Sequence, residues 1–182
     1  MKLVIGLVGE IGGGKTAVSN HLRDRYSASQ HRFSQILMDI LDRLHLPHDR
    51  ELLQNLGHSL RESLGDDVIV KAFEQDLKNE ASDIVIIDGI RYWNEVELLR
   101  RFKPSVLIYV TAPAEARYER CKARGEKGES AITFEEFTQN ENRETERYVA
   151  EIGGKADFKL ENTGSLEELL RKVDEIMNQQ LS

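Results

Sequence analysis

A single cysteine, Cys121, stands among 182 residues, so the sequence offers neither an internal disulfide nor a thiolate metal cage. Three prolines and thirteen glycines exclude collagen-like and proline-rich sequence. Positive charge is in deficit: 25 Lys and Arg face 32 Asp and Glu, for a net charge of -7. Duplex nucleic acid needs a basic face to neutralise its phosphates, so that partner class is disfavoured, whereas a local group of arginines remains compatible with a small anionic ligand. Long apolar runs are also missing. The start, Met1 to Val8, is too short to span a bilayer and lacks the charged head, long apolar core and cleavage site of a secretory signal. A cytoplasmic chain with no membrane partner is the expectation. No internal repeat or low-complexity tract occurs, and no sequence feature sets an oligomeric state.

What is present is globular. Hydrophobic residues make up 40% and charged ones 31%. The length suits one domain, 1–182, which buries roughly 70% of its unfolded surface without a staple. Short apolar runs alternate with longer amphipathic stretches, the pattern of an α/β domain with a buried parallel sheet. Strands are expected at Leu3 to Val8, Ile84 to Ile87 and Val106 to Val110, with weaker signals at Ala28 to Phe33 and Asp157 to Leu160. Helical patterns fall at Thr16 to Arg25, Ser34 to Leu44, Arg50 to Leu64, Asp67 to Asn79, Glu95 to Phe102, Ala114 to Arg124, Thr133 to Ile152 and Ser165 to Gln180. The wholly helical stretch between the second and third strands exceeds an ordinary crossover. It should therefore build something besides the cover of the sheet.

The most specific signal is Gly9-Glu10-Ile11-Gly12-Gly13-Gly14-Lys15-Thr16, which fits G-x-x-x-x-G-K-[ST] between a strand and a helix. Glycines let the backbone curl so that several N–H groups converge on a phosphate, and the helix start adds unpaired N–H groups and a positive dipole end. Lys15 supplies a point charge for the β- and γ-phosphates, and Thr16 a hydroxyl for Mg²⁺. In Asp83-Ile84-Val85-Ile86-Ile87-Asp88-Gly89, an acid ends an apolar strand, where a carboxylate helps to hold Mg²⁺. Arg91 follows at the carboxyl edge of the sheet, where ligands of α/β proteins bind. Arg117, Arg120 and Arg124 share a helical face, and Arg143 with Arg147 repeats the spacing beyond Gly125-Glu126-Lys127-Gly128-Glu129-Ser130. Some of these arginines make ordinary salt bridges with Glu115, Glu119, Glu144 and Glu146. An arginine-bearing lid would also neutralise a transferring phosphoryl group and exclude water.

Gly6 to Thr16, then Asp88-Gly89-Ile90-Arg91, then Arg120-Cys121-Lys122-Ala123-Arg124 resemble the P-loop nucleoside and deoxynucleoside monophosphate kinase superfamily over nearly the whole chain. The resemblance implies a three-layer P-loop sandwich whose five-stranded parallel sheet has the order 2-3-1-4-5. It also implies a helical acceptor-binding insert near 34–82 and a lid region near 121–142. Lys15, Asp88, Arg120 and Arg124 would then be catalytic. Gly9, Gly12, Gly13, Gly14, Lys15 and Thr16 would hold ATP, and the Asn162-Thr163-Gly164-Ser165 loop, through Asn162 and Gly164, would pack near its adenine. Ser34, Arg61 and Arg91 would hold the acceptor, and Thr16 and Asp88 the Mg²⁺. The partners so implied are ATP and a small nucleotide-like acceptor.

Two branches compete. The stretch Gly12 to Ser19 and the stretch Lys155 to Ser165 are similar to dephospho-coenzyme A kinases. That family usually carries an Asp-x-Asp pair after strand 2, where this chain reads His31-Arg32-Phe33-Ser34. Leu53-Gln54-Asn55-Leu56-Gly57 and Asp88 to Glu95 look more like phage-type deoxynucleoside monophosphate kinases. The expected function is ATP-dependent phosphoryl transfer to a nucleoside or deoxynucleoside monophosphate. The alternatives are dephospho-coenzyme A kinase, a P-loop ATPase switch without acceptor chemistry, and a kinase of nucleic-acid ends. His21, His31, His45, His48 and His58 have no ligand spacing for a metal. Tyr92 and Trp93, beside Arg91, suit either a base or the sheet's edge.

Overall fold

Leu3–Val8 is apolar or glycine throughout because it forms β1, the central strand of a parallel sheet covered on both faces in the computed structural model. The structure describes residues 3–124, 132–141 and 146–181. After β1 come α1 (Lys15–Tyr26), β2 (Ser29–His31), α2 (Phe33–Arg43), α3 (Arg50–Leu64), α4 (Val68–Lys78), β3 (Ile84–Ile90) and α5 (Trp93–Arg101). The chain continues through β4 (Ser105–Thr111), α6 (Ala114–Arg124), α7 (Phe134–Glu141), α8 (Val149–Gly153), β5 (Phe158–Glu161) and α9 (Leu166–Leu181). The sheet order is β2-β3-β1-β4-β5 with every neighbouring pair parallel, the α/β architecture expected from the sequence.

Strand alternation divides the core into two layers. Val4, Val8, Val85 and Ile87 turn towards a cluster that includes Leu37, Phe73, Leu99 and Ile152, from α2, α4, α5 and α8. Leu3, Ile5, Leu7, Ile84 and Ile86 turn instead towards Val18 and Leu22 of α1 and Leu169, Val173 and Met177 of α9. The edge strand β2 is short, half-buried and polar, which is why its sequence signal is weak. The helical insert is α2, α3 and α4, packed on one another beside that edge, with the Asp49 carboxylate accepting the Leu52 N–H at 2.8 Å to cap α3. No helix among the described residues is long and apolar enough to cross a membrane.

The helix expected over Thr133 to Ile152 is two helices. Phe137 packs on Tyr118 of α6, whereas Val149 and Ile152 pack against the sheet. One straight helix does not face both partners, and the chain turns at residues 147–148 before α8. The expected lid loop, Gly125 to Ser130, and Arg143 lie outside the described residues.

One irregularity aims the site. Leu7 pairs with Asp88 and Val8 with Ile90, so Gly89 is an extra residue in β3 at φ 86°. A bulge of this kind re-aims the side chains on either side of it, and its positive φ favours glycine. Asp88 and Arg91 therefore leave the sheet beside the loop that follows β1.

Candidate functional site

The loop between β1 and α1 is closed by backbone geometry. Gly12 has φ 78° and Gly14 φ 114°; a Cβ on Gly12 would lie 2.5 Å from the Arg117 carbonyl oxygen, and one on Gly14 2.4 Å from Asn162 Nδ2. Gly14 is the N-cap of α1 and makes no side-chain cap, and the first turn holds no acid. The helix start thus keeps its positive end for an anion. Lys15 Nζ donates to the Gly9 and Glu10 carbonyl oxygens at 2.5 and 3.0 Å. Burial pushes its pKa down from 10.5 to about 8, with the Arg91 charge adding to the effect while Glu146, Asp88 and Glu10 oppose it.

Four side chains from later in the sequence fasten this loop. Asn162 Nδ2 donates to the Gly13 carbonyl oxygen at 3.0 Å. Arg120 donates to the Asn162 carbonyl at 2.9 Å and the Gly12 carbonyl at 3.5 Å. Buried Arg117 donates to Ala112 O at 2.8 Å and Ile11 O at 3.4 Å. The Tyr109 hydroxyl donates to the Glu10 carboxylate, and burial together with that bond raises the tyrosine's pKa to about 12.

A cavity of about 540 Å³ opens from the loop into the insert. Its wall brings together Gly12, Gly14, Lys15, Thr16, Ser34, Arg61, Asp88, Arg91 and Arg120 from the residues singled out by sequence. Gly9 and Gly13 lie in the loop itself, and Asn162 supports it from beneath. Gly164 stands apart at the start of α9, next to the pair in which Ser165 and Glu168 cap each other. Arg124 ends α6, and its side chain lies outside the described residues.

Sequence reasoning missed the partners that hold these groups. Arg32 Nε and Nη2 both reach Asp88 Oδ2 at 2.8 Å, and Gln30 donates to the same oxygen at 2.8 Å. Arg91 pairs with buried Glu146, a residue that the sequence suggests only as a solvated partner. Arg61 lies 4.6 Å over the Tyr92 ring, so that ring backs a guanidinium. Glu95, 4% exposed, accepts the Arg91 and Tyr92 N–H groups at 2.7 and 3.2 Å. Its position three residues after Tyr92, at a helix start, was the available signal. Burial pushes its pKa up to about 7 although those two N–H groups, Arg91 and Arg61 oppose the rise.

The donors beside the loop are hard oxygens: the Thr16 hydroxyl and one carboxylate, Asp88. Among the described residues no group of three or more His, Cys, Asp or Glu is placed to hold a metal ion. That set fits Mg²⁺ carried mainly by phosphates and water, the usual arrangement for this ion, and not a protein cage.

The wall joins the glycine-rich loop to a compartment that carries Arg61 and Arg91. Residues 5–149 match the family model described as an AAA domain. A UPF0200 protein of Methanocaldococcus jannaschii is 30% identical over 184 residues, which cover 99% of this chain and 91% of that one. The chain belongs to the UPF0200 family and carries an AAA domain. A Thermus thermophilus crystal structure, TT1252, superposes on it with a TM-score of 0.63 at 22% identity over 97% of both chains. Shikimate kinase of Aquifex aeolicus superposes with a TM-score of 0.56 at 18% identity over 98% of both chains. At those identities the UPF0200 chain shares a P-loop kinase fold with them.

Proposed function

We propose that this UPF0200 protein transfers the γ-phosphoryl group of ATP to the phosphate of a small nucleotide-like acceptor, a nucleoside or deoxynucleoside monophosphate. One observation carries this reading: the single cavity that runs from Lys15 and Thr16 to Arg61 in the helical insert. A hydrolytic switch needs room for a triphosphate and a water. This cavity adds a compartment with Phe33, Leu37, Met38 and Leu53 on its wall, suited to a flat heterocycle between cationic groups.

In this reading the loop N–H groups and Lys15 hold the β- and γ-phosphates, and Arg120 adds charge beside them. Arg91 and Arg61 grip the acceptor's phosphate, and Ser34 offers a hydroxyl. An acceptor phosphate oxygen bonds to the γ-phosphorus while the bond to the β–γ bridging oxygen breaks, and ADP leaves with that electron pair. Mg²⁺, held by Thr16 and Asp88 together with the phosphates, supplies neutralisation of the phosphate oxygens.

Arg32 favours this acceptor over dephospho-coenzyme A. A hydroxyl nucleophile needs a base to take its proton, whereas a phosphate arrives ionised and needs cations. Where the coenzyme A branch usually carries an acid pair, this cavity has Arg32 bonded to Asp88. The test is ADP formation with nucleoside monophosphates, dephospho-coenzyme A, shikimate or no acceptor. Stimulation by one monophosphate is the expected result. Hydrolysis at one rate whatever is added refutes the kinase reading.

A further inference from the structure

We propose that Gly57 is a positioning residue: the bare patch it leaves on α3 lets Arg61 lie along the helix, held in place for the acceptor's phosphate. This deepens the kinase reading and rests on it. Leu53, Gly57 and Arg61 recur at intervals of four along α3, and all three line the cavity. Gly57 stands in the middle of that helix, where glycine is disfavoured. It has no positive φ, so the backbone does not call for glycine there. Space does. A Cβ on Gly57 would lie 3.2 Å from Leu37 Cδ1 and 3.3 Å from Arg61 Nη1, both closer than ordinary contacts.

Helical side chains lean back towards the N-terminus, so Arg61 covers the preceding turn, where residue 57 sits. A side chain at that position would crowd the ground on which the guanidinium rests. With glycine, the Cζ of Arg61 comes within 3.9 Å of the place a Cβ would take. The ring of Tyr92, the N-cap of α5, meets the same guanidinium at 4.6 Å. Contacts from two elements thus hold the group before any ligand arrives. A free arginine loses much rotamer freedom on gripping a phosphate, whereas one already laid down loses little. The planar guanidinium is also the cation that suits both a ring and a bare stretch of helix. The nearness of Leu37 offers a plainer reason for the glycine, close packing of α2 on α3. The two reasons differ in one respect: only positioning requires Arg61 to be present.

The experiment is a double-mutant cycle read by calorimetry. AMP, GMP, CMP, UMP and dTMP are titrated, with a non-hydrolysable ATP analogue present, into the wild type, Gly57→Ala, Arg61→Ala and the double variant. Arg61→Ala should weaken the tightest nucleotide at least about 30-fold, and Gly57→Ala about 10-fold. With Arg61 already removed, Gly57→Ala should cost less than about twofold, because no guanidinium is left to position. Affinity for the ATP analogue should stay at the wild-type value throughout, which also shows that each variant is folded. Wild-type nucleotide affinity in Gly57→Ala, or an undiminished loss from Gly57→Ala when Arg61 is absent, overturns the positioning role and leaves the kinase reading standing. Binding of the ATP analogue with none of the five nucleotides overturns both.

Discussion

Glu95→Gln should change how stability responds to pH, independently of any ligand. The carboxyl of Glu95 sits at about 7 in the folded chain against an ordinary 4.5, chiefly because burial strips its water. Between those two values the native state binds the proton more tightly than the unfolded state, so stability falls as pH rises. Below pH 4.5 both states are protonated and the favourable contribution is fully present; above pH 7 both are ionised and it is lost. At 1.36 kcal/mol per unit, the gap corresponds to on the order of 3 kcal/mol. Glutamine resembles the protonated acid at every pH and still accepts the two backbone N–H groups. Wild type and Glu95→Gln should therefore be about equally stable near pH 4.5, and the variant should be more stable by about 2–3 kcal/mol at pH 8. For a domain of this size that difference raises Tm by roughly 5–10 °C. Urea unfolding of both proteins at pH 5, 6, 7 and 8 measures the difference directly, and groups common to both cancel. Parallel stability curves would refute the buried-carboxylate account, because a solvated glutamate gives no such slope.

Four other outcomes follow from the same geometry. Lys15→Ala should abolish most turnover by ADP release while leaving the fold intact, since the hydrogen bonds of the lysine among the described residues go to two carbonyls of its own loop. Thr16→Val and Asp88→Asn should each raise the Mg²⁺ concentration giving half-maximal activity, read from a metal titration at saturating ATP. Arg91→Ala alone strands buried Glu146, which costs about 3–5 kcal/mol of stability, so acceptor affinity is best compared in Arg91→Ala with Glu146→Gln, where the fold recovers and acceptor binding should stay at least 30-fold weaker. Asn162→Ala removes the donor to the Gly13 carbonyl and should cost about 1–3 kcal/mol in urea unfolding while raising the KM for ATP more than it lowers kcat.

The parts of the molecule legible in the sequence are those fixed by local pattern. The apolar runs of β1, β3 and β4 announce a doubly covered sheet, and the loop from Gly9 to Thr16 needs its glycines at positions set by backbone angles. Asp88 and Arg91 were visible as strand-end residues. What they pair with was not: Gln30 and Arg32 reach Asp88 across more than fifty positions, and Asn162 reaches Gly13 across 149. No periodicity reports a contact of that separation. The break between α7 and α8 was hidden for a related reason. Phe137 and Val149 both read as apolar helix positions, and only the packing reveals that they serve different partners.

In the proposed reading these partnerships determine how the site binds. Lys15 is bonded to loop carbonyls, Arg32 to Asp88, Arg91 to Glu146 and Arg120 to the carbonyls of Gly12 and Asn162. A phosphate does not meet bare cations; it exchanges with contacts already made, and affinity is the difference between the two sets. Charges held in this way keep their orientation, which lowers the reorganisation needed when charge develops on a transferring group. The same exchange gives selectivity. Displacing Glu146 from Arg91 leaves a buried carboxylate to be satisfied, so a ligand that brings only negative charge gains little. In the proposed reading, an acceptor that brings a hydrogen-bond donor along with its phosphate replaces both the ion and the bond that Arg91 gives to Glu146, and a nucleotide carries that combination.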